Sequence, residues 1–159
     1  MSSVSFRLTA LERDRVEDLF ELTDEELAAR GARRMRADGK PGYPCRLSLE
    51  DAEPGEEVIL LHHLHHDVAS PYRAAGPIFV RTGAVTARPR VGEVPEMLKA
   101  RPQSIRAYDD RAMMVAAEVV DGADVPRAIE RLLGREEVAY LHLHNAGPGC
   151  FNCRVERVS

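Results

Sequence analysis

Two histidines and two cysteines fall within a dozen positions near the carboxy-terminal end of the chain, as His142-Leu143-His144 and Cys150-Phe151-Asn152-Cys153, joined through Gly147-Pro148-Gly149. Imidazole and thiolate are ligands for zinc and other borderline or soft ions, and a Gly-Pro-Gly turn could fold one pair back on the other. The pattern predicts a metal site with His142, His144, Cys150 and Cys153 as candidate ligands, Cys45 as a further thiol, and zinc as the candidate ion. On a strand, Val138, Tyr140, His142 and His144 point one way and Ala139, Leu141 and Leu143 the other, so both imidazoles are presented together. Cys153 alternates with Phe151 and Val155 as a buried face would, and fits the core as readily as a ligand set. Cys150 follows Gly149 and is freer to turn. A zinc ribbon would normally supply a second Cys-x-x-Cys or a spaced His pair of its own, and the chain has only the one cysteine pair. Thiol–disulfide exchange is disfavoured, because Cys153 leads into a strand-like run, Arg154 to Val158, where a helix amino terminus would be expected.

A second cluster, His62, His63, His65, His66 and Asp67, closes the apolar run Val58 to Leu61. In a continuous strand His63 and His65 share one face, opposite His62, Leu64 and His66. They read as exposed loop histidines. The competing reading is that the cluster completes the carboxy-terminal site from across the sheet, with His63 or His65 as the donor.

A third pattern places arginine after rigid turns, at Pro44-Cys45-Arg46, Ser70-Pro71-Tyr72-Arg73 and Gly76-Pro77-Ile78-Phe79-Val80-Arg81, with Arg106-Ala107-Tyr108-Asp109 further on. A guanidinium fixed in this way can clamp a carboxylate or phosphate with paired hydrogen bonds. Arg46, Arg73, Arg81 and Arg106 are therefore candidate anion-binding residues. The favoured reading is structural: such arginines also bind buried loop carbonyls or pair with Asp51, Asp67 or Asp109.

The elements that must position these groups are legible in part. Val4 to Leu8 alternates as a strand, and Leu11, Val16, Leu19 and Phe20 recur at helical spacing. Thr23-Asp24-Glu25-Glu26 has the form of a capping box, starting a short helix that Gly31 ends. Arg30, Arg33, Arg34, Arg36 and Lys40 read as a solvated helix end and loop. Short strands follow near 46–49, 57–64, 77–81, 84–88, 104–108 and 113–120, with one small helix in 93–100 whose first turn holds Pro95. Val125, Ala128, Ile129, Leu132 and Leu133 form one stripe between an Asp124 cap and Gly134. The link from Val120 to Val138 suits a parallel crossover, and the Gly-Pro-Gly turn reverses the chain into a last strand, 150–158. The expected fold is α+β: a mixed, mostly antiparallel sheet with amino-terminal helices and one helix near 124–134.

The 159 residues fit a single domain, 1–159, and 44% hydrophobic with 30% charged residues describes a soluble globular chain with an aliphatic core, since aromatics make up 5% and Trp is absent. A formal charge of −4 gives nucleic acid and anionic lipid no global attraction. Met1 to Arg7 shows no basic region followed by an apolar run, no apolar run of about 18 residues occurs, and three cysteines do not make a disulfide framework. A cytoplasmic setting is expected. Phosphate loops, dinucleotide fingerprints, the Gly-x-Ser-x-Gly elbow and His-Glu-x-x-His are all missing, so no reaction is specified.

In combination, Pro41-Gly42-Tyr43-Pro44-Cys45-Arg46, Ser70 to Arg73, Gly76 to Arg81, Arg106 to Asp109, His144-Asn145-Ala146 and Gly149-Cys150-Phe151 resemble an uncharacterised bacterial family catalogued as domain of unknown function 1203. The resemblance spans nearly the whole chain. It implies a bacterial single-domain protein and carries no activity, cofactor or site residue. Function is therefore expected as small-ligand or metal binding near the Cys150 turn, as an anion-binding module on the arginines, or as a structural role.

Overall fold

The computed structural model describes residues 4–159; Met1 to Ser3 of the amino-terminal stretch lie outside the described residues. Among the described residues eight strands form two sheets. Strands β1 (Phe6–Thr9), β5 (Gln103–Tyr108), β6 (Met114–Val120), β7 (Tyr140–Asn145) and β8 (Phe151–Arg157) make a five-stranded sheet in the order β1-β8-β7-β5-β6. Strands β2 (Arg33–Arg36), β3 (Glu57–His66) and β4 (Ala74–Arg81) make a three-stranded sheet in that order. Every strand pair in both sheets is antiparallel. The α+β class holds, with two antiparallel sheets in place of one mixed sheet.

Three short α-helices accompany them, α1 (Asp24–Ala29), α2 (Glu96–Lys99) and α3 (Val125–Leu133). The α1 capping box is complete: Thr23 Oγ1 accepts from the Glu26 amide and Glu26 Oε1 accepts from the Thr23 amide. Gly31, at φ 74°, then takes the left-handed conformation that stops the helix. The apolar stripe of α3 is buried as its spacing requires, but Asp124 makes no side-chain cap bond, because a 3-10 turn over Gly122–Asp124 already leads the chain in. Before α1 the expected helix is replaced by 3-10 turns. Amides of Val16, Leu19 and Leu22 donate to the carbonyls of Arg13, Val16 and Leu19, each three residues back. Apolar residues at intervals of three stack on one side of a 3-10 turn, and Val16 and Leu19 are buried accordingly.

Three further expectations need correction. Arg33–Arg36 is strand β2, paired with Leu60–Glu57; its residues are exposed or half-buried, so neither face carries an apolar alternation that would announce it. Segments 46–49 and 84–88 are not strands. Leu49 sits at φ 55° and its amide bonds to Cys45, closing a turn, while the Ala87 amide donates to Leu47 and no ladder forms. The crossover through α3 does join strands running the same way, since β6 and β7 are both antiparallel to β5, but β5 lies between them.

One face of the five-stranded sheet supplies Ile105, Ala107, Leu141, Leu143, Cys153 and Val155 to an aliphatic core closed by α2 and α3. Ile59, Leu61, Ile78 and Val80 of the three-stranded sheet form a second core with the 3-10 turns and α1. Burial at roughly 1.5–3 kcal/mol per aliphatic side chain makes these two cores the main stabilising masses. The sheets meet at a third, chemically different place, where the histidines lie.

Candidate functional site

Strand β7 is buried along its whole length, and its two faces divide as the alternation requires: Leu141 and Leu143 enter the aliphatic core, and Tyr140, His142 and His144 look the other way. His142 and His144 are 2% and 1% exposed. Opposite them lies the end of β3. Its ladder runs Leu64 to Ala75 and then His66 to Ala74, so His65 is an extra, unpaired residue, a β-bulge. A bulge breaks strict alternation. In consequence His65 and His66 both reach the β7 face: ring centroids are 5.1 Å apart for His65 and His144, 6.2 Å for His65 and His142, and 4.8 Å for His66 and His142. The expectation that His66 points away from His65 is thus overturned by one inserted residue; His65 and His66 lie in the strand end against β7 and not on an exposed loop, while His62 is exposed as expected.

A second bulge shapes the same place. Leu143 pairs with Cys153, but His144 pairs with Phe151, leaving Asn152 as the extra residue of β8. Phe151 therefore shares the histidine face and stacks on His65 at 4.9 Å with a 5° interplanar angle, while Cys153 stays on the aliphatic side. The two are not on one face, contrary to what their spacing suggests. Asn152 is buried and donates to Asn145 Oδ1 at 2.7 Å and Gln103 Oε1 at 3.0 Å.

The hydrogen bonds fix which nitrogens are free. His144 Nδ1 lies 2.9 Å from the carbonyl of Gly149, which can only accept; Nδ1 is therefore the protonated nitrogen and Nε2 carries the lone pair. His66 is fully used: Nδ1 donates to the Tyr72 carbonyl at 2.8 Å, and Nε2 accepts from the Tyr140 hydroxyl at 2.6 Å. By contrast His65 Nδ1, His142 Nδ1 and His144 Nε2 are buried with no partner. Each such group costs about 1–3 kcal/mol. One ring nitrogen each from His65, His142 and His144 lies within 4.8 Å of those from the other two.

The imidazoles are held neutral. Burial lowers His142 to about 2, His65 to about 3, and His63 and His144 to about 4, and repulsion from neighbouring cationic groups adds to it. Neutral imidazole is the form that coordinates a metal. Arg106 contributes to that repulsion at His65 and His144. It pairs across the ladder with His142 on the same face, and its Nε donates to Ser104 Oγ at 3.3 Å. Tyr108 and Tyr140 stack at 5.3 Å beside His66, and Arg154 lies 4.0 Å over the Tyr140 ring.

Of the residues singled out by sequence, His142 and His144 come together with His65, one of the two donors expected from across the sheet. The cysteines do not join them. Cys153 is fully buried among aliphatic residues, which pushes its thiol pKa well up; Cys45 Sγ accepts from the amides of Ser48 and Arg81; Cys150 lines a separate cavity with Arg46. The arginines are dispersed. Arg73 pairs with Asp67, Arg81 with Glu56 and Ser48, and Arg46 donates to the carbonyls of Phe151 and Pro44. Tyr140, Tyr108 and Phe151 wall the histidines without standing out as site residues in the sequence, although Tyr140 lies on the same period as His142.

Fold and site together describe a small two-sheet α+β protein with a histidine cluster walled by aromatic side chains between its sheets. The chain belongs to the family described as protein of unknown function, DUF1203, whose model matches residues 42–157 and so includes all three grouped histidines. No curated protein and no solved structure matches it. Among the described residues no helix is long and apolar enough to cross a membrane.

Proposed function

We propose that this protein binds a divalent transition metal, zinc foremost, through His65, His142 and His144, leaving at least one coordination position for water or a ligand. The observation that carries the reading is the convergence of three neutral imidazoles, each with a buried ring nitrogen that has no hydrogen-bond partner. Orphaned buried polar atoms are few in folded proteins, and three in one cluster ask for a common partner. Nitrogens bound 2.0–2.1 Å from a tetrahedral zinc stand about 3.3 Å apart, so modest side-chain rotations from the present arrangement would complete the site. Gly149 already orients His144 from behind, the role of a supporting hydrogen bond in metal sites.

Three neutral imidazoles leave the ion's double charge uncompensated. Such a centre lowers the pKa of bound water to near neutrality and polarises oxygen ligands, the chemistry of a hydrolytic or lyase-like reaction. Arg106 opposes the dication electrostatically and favours an anionic group in the remaining position. A cytoplasmic setting suits three unpaired thiols.

The test is metal analysis of protein purified without added zinc, followed by cobalt reconstitution and visible spectroscopy. About one ion per chain is expected, lost in His65→Ala and His142→Ala and retained in Cys150→Ser and Cys153→Ala. Substoichiometric metal in the unaltered protein, or full retention in the histidine variants, would sink the reading.

A further inference from the structure

The segment that reverses the chain between β7 and β8 also lines a cavity of about 570 Å³, within the range of small-molecule sites. Its walls are largely apolar, with Leu60, Pro77, Phe79 and Pro148 among them, and two arginines line it, Arg46 and Arg101. Arg101 is already neutralised, its Nη2 donating to Asp51 at 2.8 Å. Arg46 is not. It is 1% exposed, its Nε donates to the Phe151 carbonyl at 2.8 Å and its Nη1 to the Pro44 carbonyl at 2.5 Å, and no carboxylate pairs with it among the described residues. Carbonyl dipoles position a guanidinium without cancelling its charge, and a buried cation without a counter-ion is costly to maintain. Burial correspondingly lowers Arg46 to about 10, and the charges acting on it come from the thiols of Cys150, Cys45 and Cys153 and from Arg101, with no carboxylate among them.

We propose that this cavity binds an organic carboxylate with an apolar body, the carboxylate on Arg46 and the hydrocarbon against Leu60, Pro77 and Phe79. A guanidinium carries five N–H donors in a planar fork, and two protein carbonyls do not exhaust them. One unneutralised cation balances one negative charge, which suits a carboxylate. A phosphate dianion would call for more donors than these walls offer. The site is separate from the three histidines and stands whether or not they hold a metal.

Octanoate is the probe, compared with 1-octanol, acetate and inorganic phosphate on the full chain. By mass action, octanoate at a hundred times its Kd should raise Tm by about 5–10 °C, with much smaller effects from the other three. Cys150, the half-buried thiol that lines the cavity while Cys45 and Cys153 are buried, supplies a local readout: octanoate should slow its alkylation by iodoacetamide at least tenfold. Arg46→Met should respond equally to octanoate and octanol. Equal responses in the unaltered protein, a larger shift with phosphate, unprotected Cys150, or octanoate preference persisting in Arg46→Met would each overturn the proposal. The first three comparisons need no substitution, so they decide the matter even where the variant fails to fold.

Discussion

The chemistry turns on hydrogen-bond direction at single atoms. His66 has both nitrogens engaged, so it supports the cluster without offering a lone pair, whereas its neighbours do offer one. Tyr140→Phe removes the donor to buried His66 Nε2 and should lower stability by about 1–3 kcal/mol, read from urea denaturation, leaving the slope of the transition unchanged. The depressed pKa values also set an acid limit on metal-free protein. With folded values of about 2 to 4, lowered chiefly by burial, against 6.5 when unfolded, the unfolded chain binds more protons below pH 6.5. Stability contributed by neutral burial is then fully present above about pH 7 and falls as pH drops through 6.5 towards the folded values, about 4 for His63 and His144, about 3 for His65 and about 2 for His142. Replacing His142 by Gln should reduce the slope of unfolding free energy against pH by up to one proton between about pH 6 and 5; an unchanged slope would mean that His142 titrates alike in both states.

At the level of elements, what is legible in the sequence is whatever follows a regular period. The shared face of His142 and His144, the stripe of α3 and the capping box of α1 follow from spacing alone, because β7, α3 and the start of α1 are regular. His66 and Phe151 depart from their expected faces for one reason: each lies beside an extra residue, His65 or Asn152, and neither bulge is marked by glycine. Strand β2 is hidden because Arg33, Arg34 and Arg36 pair in a ladder without burying an alternating face. Alternation leaves His65 as one of two candidates, since it separates odd from even positions but does not tell His63 from His65; the depth of the β3 end against Phe151 makes the choice. The caps give a direct comparison between expectation and structure. Thr23→Ala should cost about 1 kcal/mol, since it breaks a reciprocal pair of bonds, whereas Asp124→Ala should stay within about 0.5 kcal/mol because no cap bond is lost. Chemical denaturation of both variants checks the pair.

For the molecule as a whole, His65 belongs to the three-stranded sheet and His142 and His144 to the five-stranded one, with some 80 residues of chain between them. An ion held by all three would tie two separately built cores, one closed by α3 and the other by α1 and the 3-10 turns. Chelation of the metal-bound protein should therefore lower Tm and raise proteolysis and amide exchange across β3 and β4 more than in α3, whose stripe is buried in the first core. Uniform change across both sheets would argue that the ion, if bound, bridges nothing. Topologically, the two-sheet placement would make the histidine cluster, with an ion bound, a reversible cross-link. Closing a loop of this length constrains the unfolded chain as a long-range disulfide does, by about 4–5 kcal/mol in the simplest chain-entropy picture. A metal-bound cluster would do so with imidazoles that need no oxidant to join and no reductant to part.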